Sequence, residues 1–172
     1  MVRFGINTER AFGISMTALR PLSRQYRRNH NLAAELWATG IHEARILAAL
    51  IDDQKLVTSR QMDKWAADFD SWDLCDQACM KLFSETTFVA EKVSKWAKDD
   101  REFVRRAAFA LIAGYAVRAK KASDENFIPF LAIIEAQSTD NRNFVKKAVN
   151  WALRQIGKRS RMFHPHALRV AQ

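Results

Sequence analysis

Trp72 and Asp76 stand four residues apart, a spacing that puts an indole and a carboxylate on one face of a helix. A carboxylate repels phosphate, but it suits a developing positive charge. A glycosidic bond breaking at a sugar carbon makes such a charge, an oxocarbenium ion, and an Asp can stabilise it or orient water against it. The plainer alternative is that Asp76 pairs with a neighbouring Lys or Arg. Further along, Lys147, Trp151, Arg154 and Lys158 fall on one helical stripe, with Lys146 beside it. Basic groups there would hold phosphates while the indole lies against sugar or base. A core Trp151 with Lys stems packed over it is the competing reading.

Other chemistries have thinner support. Cys75 and Cys79 are four apart and read as small reduced core residues in a cytosolic compartment, with poor geometry for a disulfide. His30, His42, His164 and His166 are scattered, and no ligand set has zinc-like spacing, so no metal and no cofactor is expected. The sequence has no Gly-rich phosphate loop and no Ser/His/Asp arrangement.

The elements that must position these residues are helices. Five Gly and three Pro in 172 residues fall well below the roughly 12% of average usage. That excludes collagen-like and low-complexity classes and argues against turn-rich sandwiches or barrels. Leu36, Ile46, Leu47, Leu50 and Ile51 frame a helical hairpin broken at Gly40. Thr58-Ser59-Arg60-Gln61 has the capping-box pattern, with Gln61 expected to reach back to the cap. Asp70 and Ser71 are N-cap candidates for a helix carrying Trp72, Cys75, Cys79 and Phe83. Further helices are expected over 87–98, 101–118, 124–136 and 141–157. Phe103-Val104-Arg105-Arg106-Ala107 recurs 41 residues later as Phe144-Val145-Lys146-Lys147-Ala148. A period near 40–47 built of helix pairs is the signature of HEAT-type solenoids, whose second helices line one face. The repeated basic pair should then point twice toward one surface. The expected architecture is a single all-α, HEAT-like solenoid over residues 1–172 with a concave basic face.

Charge is concentrated at the ends. The formal total is +9, with residues 1–30 at +5, 140–172 at +7 and the middle at −3. Basic ends suggest a polyanion partner, nucleic acid first and an anionic membrane second. The longest apolar run, Ala107 to Val117, is a buried helix and too short for a membrane span, which needs about 20 residues. No signal-peptide segment stands at the N-terminus, and the cytoplasm is the expected compartment.

These motifs, in this order and spacing, resemble the HEAT-repeat DNA alkylation repair glycosylases of the AlkD type. The resemblance rests on Trp72-x-x-x-Asp76, Arg106 in Val-Arg-Arg-Ala and Trp151 in Ala-Val-Asn-Trp-Ala-Leu-Arg, and runs from Arg3-Phe4-Gly5-Ile6 through Gly157-Lys158-Arg159. It implies that Asp76 takes the position of the family's catalytic carboxylate, and that Trp72 and Trp151 take those of the tryptophans packed around the lesion's deoxyribose. Arg106 takes the position of an arginine that contacts the DNA backbone. With Arg105, Lys146, Lys147, Arg154 and Lys158 it makes up the expected DNA-binding set. The implied reaction is hydrolysis of the N-glycosidic bond of N3- or N7-alkylated purines, 3-methyladenine and 7-methylguanine, in base excision repair and without turning the base into a pocket. The implied partner is double-stranded DNA, bound by a monomer at the nucleoid without membrane or small-molecule cofactor. Self-association is the alternative, because relatives carry terminal helices that this chain is expected to lack. A non-catalytic DNA-binding module and a protein-interaction scaffold are the competing functions.

Overall fold

All three prolines lie within helices rather than in the breaks between helices. In a computed structural model describing residues 2–160 and 162–171, the helices are α1 (Met16–Gln25), α2 (His30–Ala38), α3 (His42–Ile51), α4 (Ser59–Ala67), α5 (Trp72–Lys81), α6 (Val89–Trp96), α7 (Glu102–Arg118), α8 (Ile128–Ala136), α9 (Asn143–Arg159) and α10 (Phe163–Ala171). Short 3₁₀ turns precede α6 and α8, and there is no strand among the described residues. Gly40, at φ +69°, makes the break between α2 and α3, where a Cβ would come within 2.5 Å of the Arg10 guanidinium.

Thr58 caps α4 as expected, accepting from the Gln61 amide at 3.1 Å. The Gln61 side chain does not reach back, however. It donates to Asp52 at 2.7 Å, because a buried carboxylate stands within reach. Ser71 caps α5 by position only, with its hydroxyl spent on Asp70. The expected helix over 124–136 begins as a 3₁₀ turn, and the last expected helix starts and ends two residues later than anticipated.

The 41-residue repeat holds to the level of single hydrogen bonds. Asp99 receives the backbone amide, Nε and Nη2 of Arg101, and Asp140 receives the same three groups of Arg142. Each clamp opens a helix of 17 residues. These two clamps pull both carboxyls below their ordinary range.

Two rows of helices result. In one, α3, α5, α7 and α9 lie side by side. In the other, Trp37 of α2 stacks on Trp65 of α4 at 3.9 Å, and the aromatic chain continues through Phe83 to Trp96 of α6. A single hydrophobic core runs from Leu19 to Phe163. Within it Lys92 is fully buried, with its ammonium 2.8 Å from Asp63 and 2.6 Å from the Ser59 hydroxyl. Burial pushes the Asp63 carboxyl up, but bonds from Lys92, Lys95 and Trp96 outweigh this and hold it at about 2. A depressed carboxyl contributes stability that is present above its unfolded value of 3.8 and lost as pH falls toward 2. Asp63→Asn should therefore lower the urea midpoint at pH 6, and the gap to wild type should close between about pH 4 and 2. A gap independent of pH would refute the assignment.

No described helix is long and apolar enough to cross a membrane. Cys75 and Cys79 are free and buried, bonded to the Phe103 and Ala107 carbonyls of α7, and burial pushes the Cys75 thiol well up. They are packing residues between α5 and α7.

Candidate functional site

α5, α7 and α9 begin beside one another, and Arg106 joins them. Its Nε and Nη2 donate to the two oxygens of Asp76 at 3.0 and 2.8 Å, and its Nη1 donates to the Phe144 carbonyl at 2.6 Å. The guanidinium also lies 5.9 Å from the centre of the Trp72 ring. A planar fork fits this double contact with a carboxylate as no ammonium would. Both partners are sequestered, with 7% of the Arg106 side chain and 16% of the Asp76 side chain accessible. Burial pushes the Asp76 carboxyl above its ordinary range, against the pull of Arg106.

Trp72 opens α5, half-buried, and its indole N–H donates to the Phe4 carbonyl at 2.8 Å. The next residue, Gly5, has φ +73°, and a Cβ there would meet the Phe144 ring at 2.4 Å. The N-terminal segment thus reaches both α5 and α9. Farther back, His42 of α3 bonds Asp73 at 2.9 Å, and Asn7 bonds Asp70 at 3.0 Å, fixing the first turn of α5.

Seven residues beyond Phe144 on α9, Trp151 packs partly against the core. Its remaining surface lines an open depression of about 470 Å³ with Asn143, Lys146, Lys147, Asn150 and Arg154. Lys147 sits 6.0 Å from the centre of the Phe144 ring. Lys158 lines a different depression, on the α8 and α10 side of α9, which Lys146 and Arg154 also border. Lys147, Trp151, Arg154 and Lys158 thus keep to one stripe of the continuous helix, and the two depressions meet along it at Arg154.

The sequence matches the DNA alkylation repair enzyme family over residues 1–171. The chain belongs to that family. A solved structure described as "a new family of proteins related to the HEAT-like repeat DNA glycosylases with affinity for branched DNA structures" has the same fold, with a TM-score of 0.85 at 22% identity, covering 99% of this chain and 73% of that one. No curated protein matches the chain.

In this DNA alkylation repair family member the structure brings Trp72, Asp76 and Arg106 into contact and sets Trp151 on the adjoining helix. The repeated basic pair does not point twice toward one surface. Arg106 is turned inward on Asp76, whereas Lys147, its equivalent 41 residues on, is exposed. Arg105 is committed to the Asp99 carbonyl at 2.7 Å and to Asp140 at 3.0 Å, whereas Lys146 is exposed. The reason is stacking: α9 and its capping loop cover the side of α7 that α9 itself leaves open. Sequence reasoning missed Phe4, Phe144 and the His42–Asp73 pair. Phe144 carried a signal as the first residue of the repeated motif, and Phe4 stood within Arg3-Phe4-Gly5-Ile6, whereas the His42–Asp73 pair carried none.

Proposed function

We propose that this chain binds duplex DNA across the N-terminal ends of α5, α7 and α9 and hydrolyses the N-glycosidic bond of N3- and N7-alkylated purines. The observation that carries this reading is the Asp76 side chain, gripped through both oxygens by a bidentate arginine beside the Trp72 ring.

Alkylation at N3 or N7 places positive charge on the purine, so the base departs with the C1′–N electron pair and needs no proton. Positive charge then develops on C1′ and O4′ of the sugar. Asp76 stabilises that charge, and water supplies the oxygen that bonds to C1′ while its proton passes to the carboxylate or to solvent. Arg106 fixes the carboxylate and leaves each oxygen a further lone pair for the sugar or the water. Indole faces favour a unit that is already cationic, a preference that needs no enclosing base pocket. Lys146, Lys147 and Arg154 supply phosphate contacts, and the three helix N-termini add partial positive charge.

The test is release of 3-methyladenine and 7-methylguanine from methylated duplex DNA. Release of either base supports the proposal. A folded protein that binds the duplex and releases neither base supports the second reading, a non-catalytic DNA-binding module. That reading draws on both Asp76 oxygens being occupied by Arg106 and on the branched-DNA affinity of the structural neighbour.

The phosphate contacts have a signature of their own. Lys147→Gln is expected to weaken duplex binding and reduce the slope of log K against log salt by about one. Arg105→Gln should leave that slope unchanged, since its guanidinium is engaged within the protein. Binding titrations at several salt concentrations check both, and an unchanged slope for Lys147→Gln would remove it from the interface.

A further inference from the structure

A depression of about 610 Å³ runs between α2 and α4, and none of its lining residues lies on α5, α7 or α9. Its basic side chains are His30, Arg45, Arg60 and Lys64, against one bordering acid, Asp68. That acid is already engaged. Its Oδ2 accepts the Trp37 indole N–H at 2.8 Å and lies 3.6 Å from Arg45.

One end of the groove is rigidly built. His30 Nδ1 lies 2.7 Å from Asp52, whose side chain has no accessible surface. The same carboxylate takes the Gln61 amide at 2.7 Å and the Asp53 backbone N–H at 2.7 Å. With Nδ1 so engaged, Nε2 is the ring nitrogen left for a ligand. At the other end Arg45 is pinned by the Trp37 and Asp68 carbonyls and lies over the Trp37 ring at 5.5 Å. Between them stand Arg60 and Lys64, exposed and one turn apart on α4. Neither forms an ion pair among the described residues. Like charges at this spacing repel one another and destabilise a helix. A buried carboxylate orienting a part-exposed histidine, next to two unpaired cations, is an arrangement for holding an anion.

We infer that the α2/α4 groove is a second phosphate-binding site, distinct from the surface at α5, α7 and α9. Phosphate oxygens accept from the Arg60 guanidinium and the Lys64 ammonium, and from His30 Nε2 when the ring carries both protons. The chemistry is shared by the backbone of a second nucleic-acid segment and by a free polyphosphate. The inference does not depend on base release.

The test uses the full chain, inorganic pyrophosphate and a short unmodified duplex. Pyrophosphate should shift the His30 ring resonances saturably, and Arg60→Gln/Lys64→Gln should weaken that binding at least about tenfold. Both replaced side chains are exposed, so the fold should survive, as an unchanged melting temperature would show. In the second arm, two duplexes per wild-type chain falling to one in the double variant identify a nucleic-acid backbone as the source. One duplex in both proteins, with pyrophosphate still bound at His30, identifies a free polyphosphate. Unmoved His30 resonances, or equal pyrophosphate affinity in wild type and double variant, would overturn the inference.

Discussion

Asp76→Asn is expected to lower base release from methylated DNA by about 10²–10³-fold, the usual loss when one preorganised electrostatic group is removed from a transition state. Duplex affinity should stay the same or rise, because a negative charge has been taken away from the phosphates. The ionised carboxylate is the working form, so wild-type release should fall as pH drops through the Asp76 value. Burial raises that value above 3.8, and the acid limb should lie correspondingly higher than an exposed Asp would place it. The Asn variant should show no such limb in whatever activity remains. A raised carboxyl also means that ionised Asp76 costs the fold something at neutral pH, since Arg106 offsets the cost of its burial only in part. Asn keeps one carbonyl acceptor for the guanidinium, so its stability loss should be the smaller of the two members of the pair. Single-turnover release and duplex titrations across pH check this. Loss of binding in step with loss of release would make Asp76 a structural residue only.

What was legible in the sequence was whatever repeats or recurs locally. The 41-residue echo of Phe103–Ala107 located α7 and α9, and the matched clamps Asp99–Arg101 and Asp140–Arg142 explain why the same residues open both helices. Helical spacing put Trp72 and Asp76 on one face for the same reason: their relation is fixed within α5. Arg105 and Arg106 show the limit. Adjacent residues diverge by about 100° around a helix, but which of them meets solvent is decided by the next repeat. Asp140 captured Arg105 from 35 residues away, and Asp76 captured Arg106 across 30. The bond from Trp72 to Phe4 spans 68 residues and leaves no trace in any local window. Gly5 is legible only in retrospect, as the position where Phe144 leaves no room for a Cβ. The aromatic row from Trp37 to Trp96 was likewise invisible as a row, because each member reads alone as an ordinary core residue.

Arg106 carries the second large effect, and it separates a buried brace from a DNA contact. A backbone-contacting arginine at the surface would, on replacement by Ala, cost little stability and remove about one unit of salt slope. The structure predicts the opposite on both counts. Arg106→Ala strips a buried carboxylate of its only ion-pair partner among the described residues and leaves the Phe144 carbonyl without its guanidinium donor. Breaking a buried pair from one side typically costs about 3–5 kcal/mol, which for a chain of this length is a melting temperature lower by roughly 6–20 °C. The salt slope should not change. Base release should fall as well, since Asp76 loses the fork that aims it, and Arg106→Lys should rescue little because one ammonium cannot span both carboxylate oxygens and the carbonyl. The double variant Asp76→Leu/Arg106→Met should recover most of the stability, as apolar replacements of buried pairs often do, yet release no base. Melting curves, salt titrations and release assays on these variants read the two roles separately. A reduced salt slope with an unchanged melting temperature for Arg106→Ala would return this residue to the DNA surface.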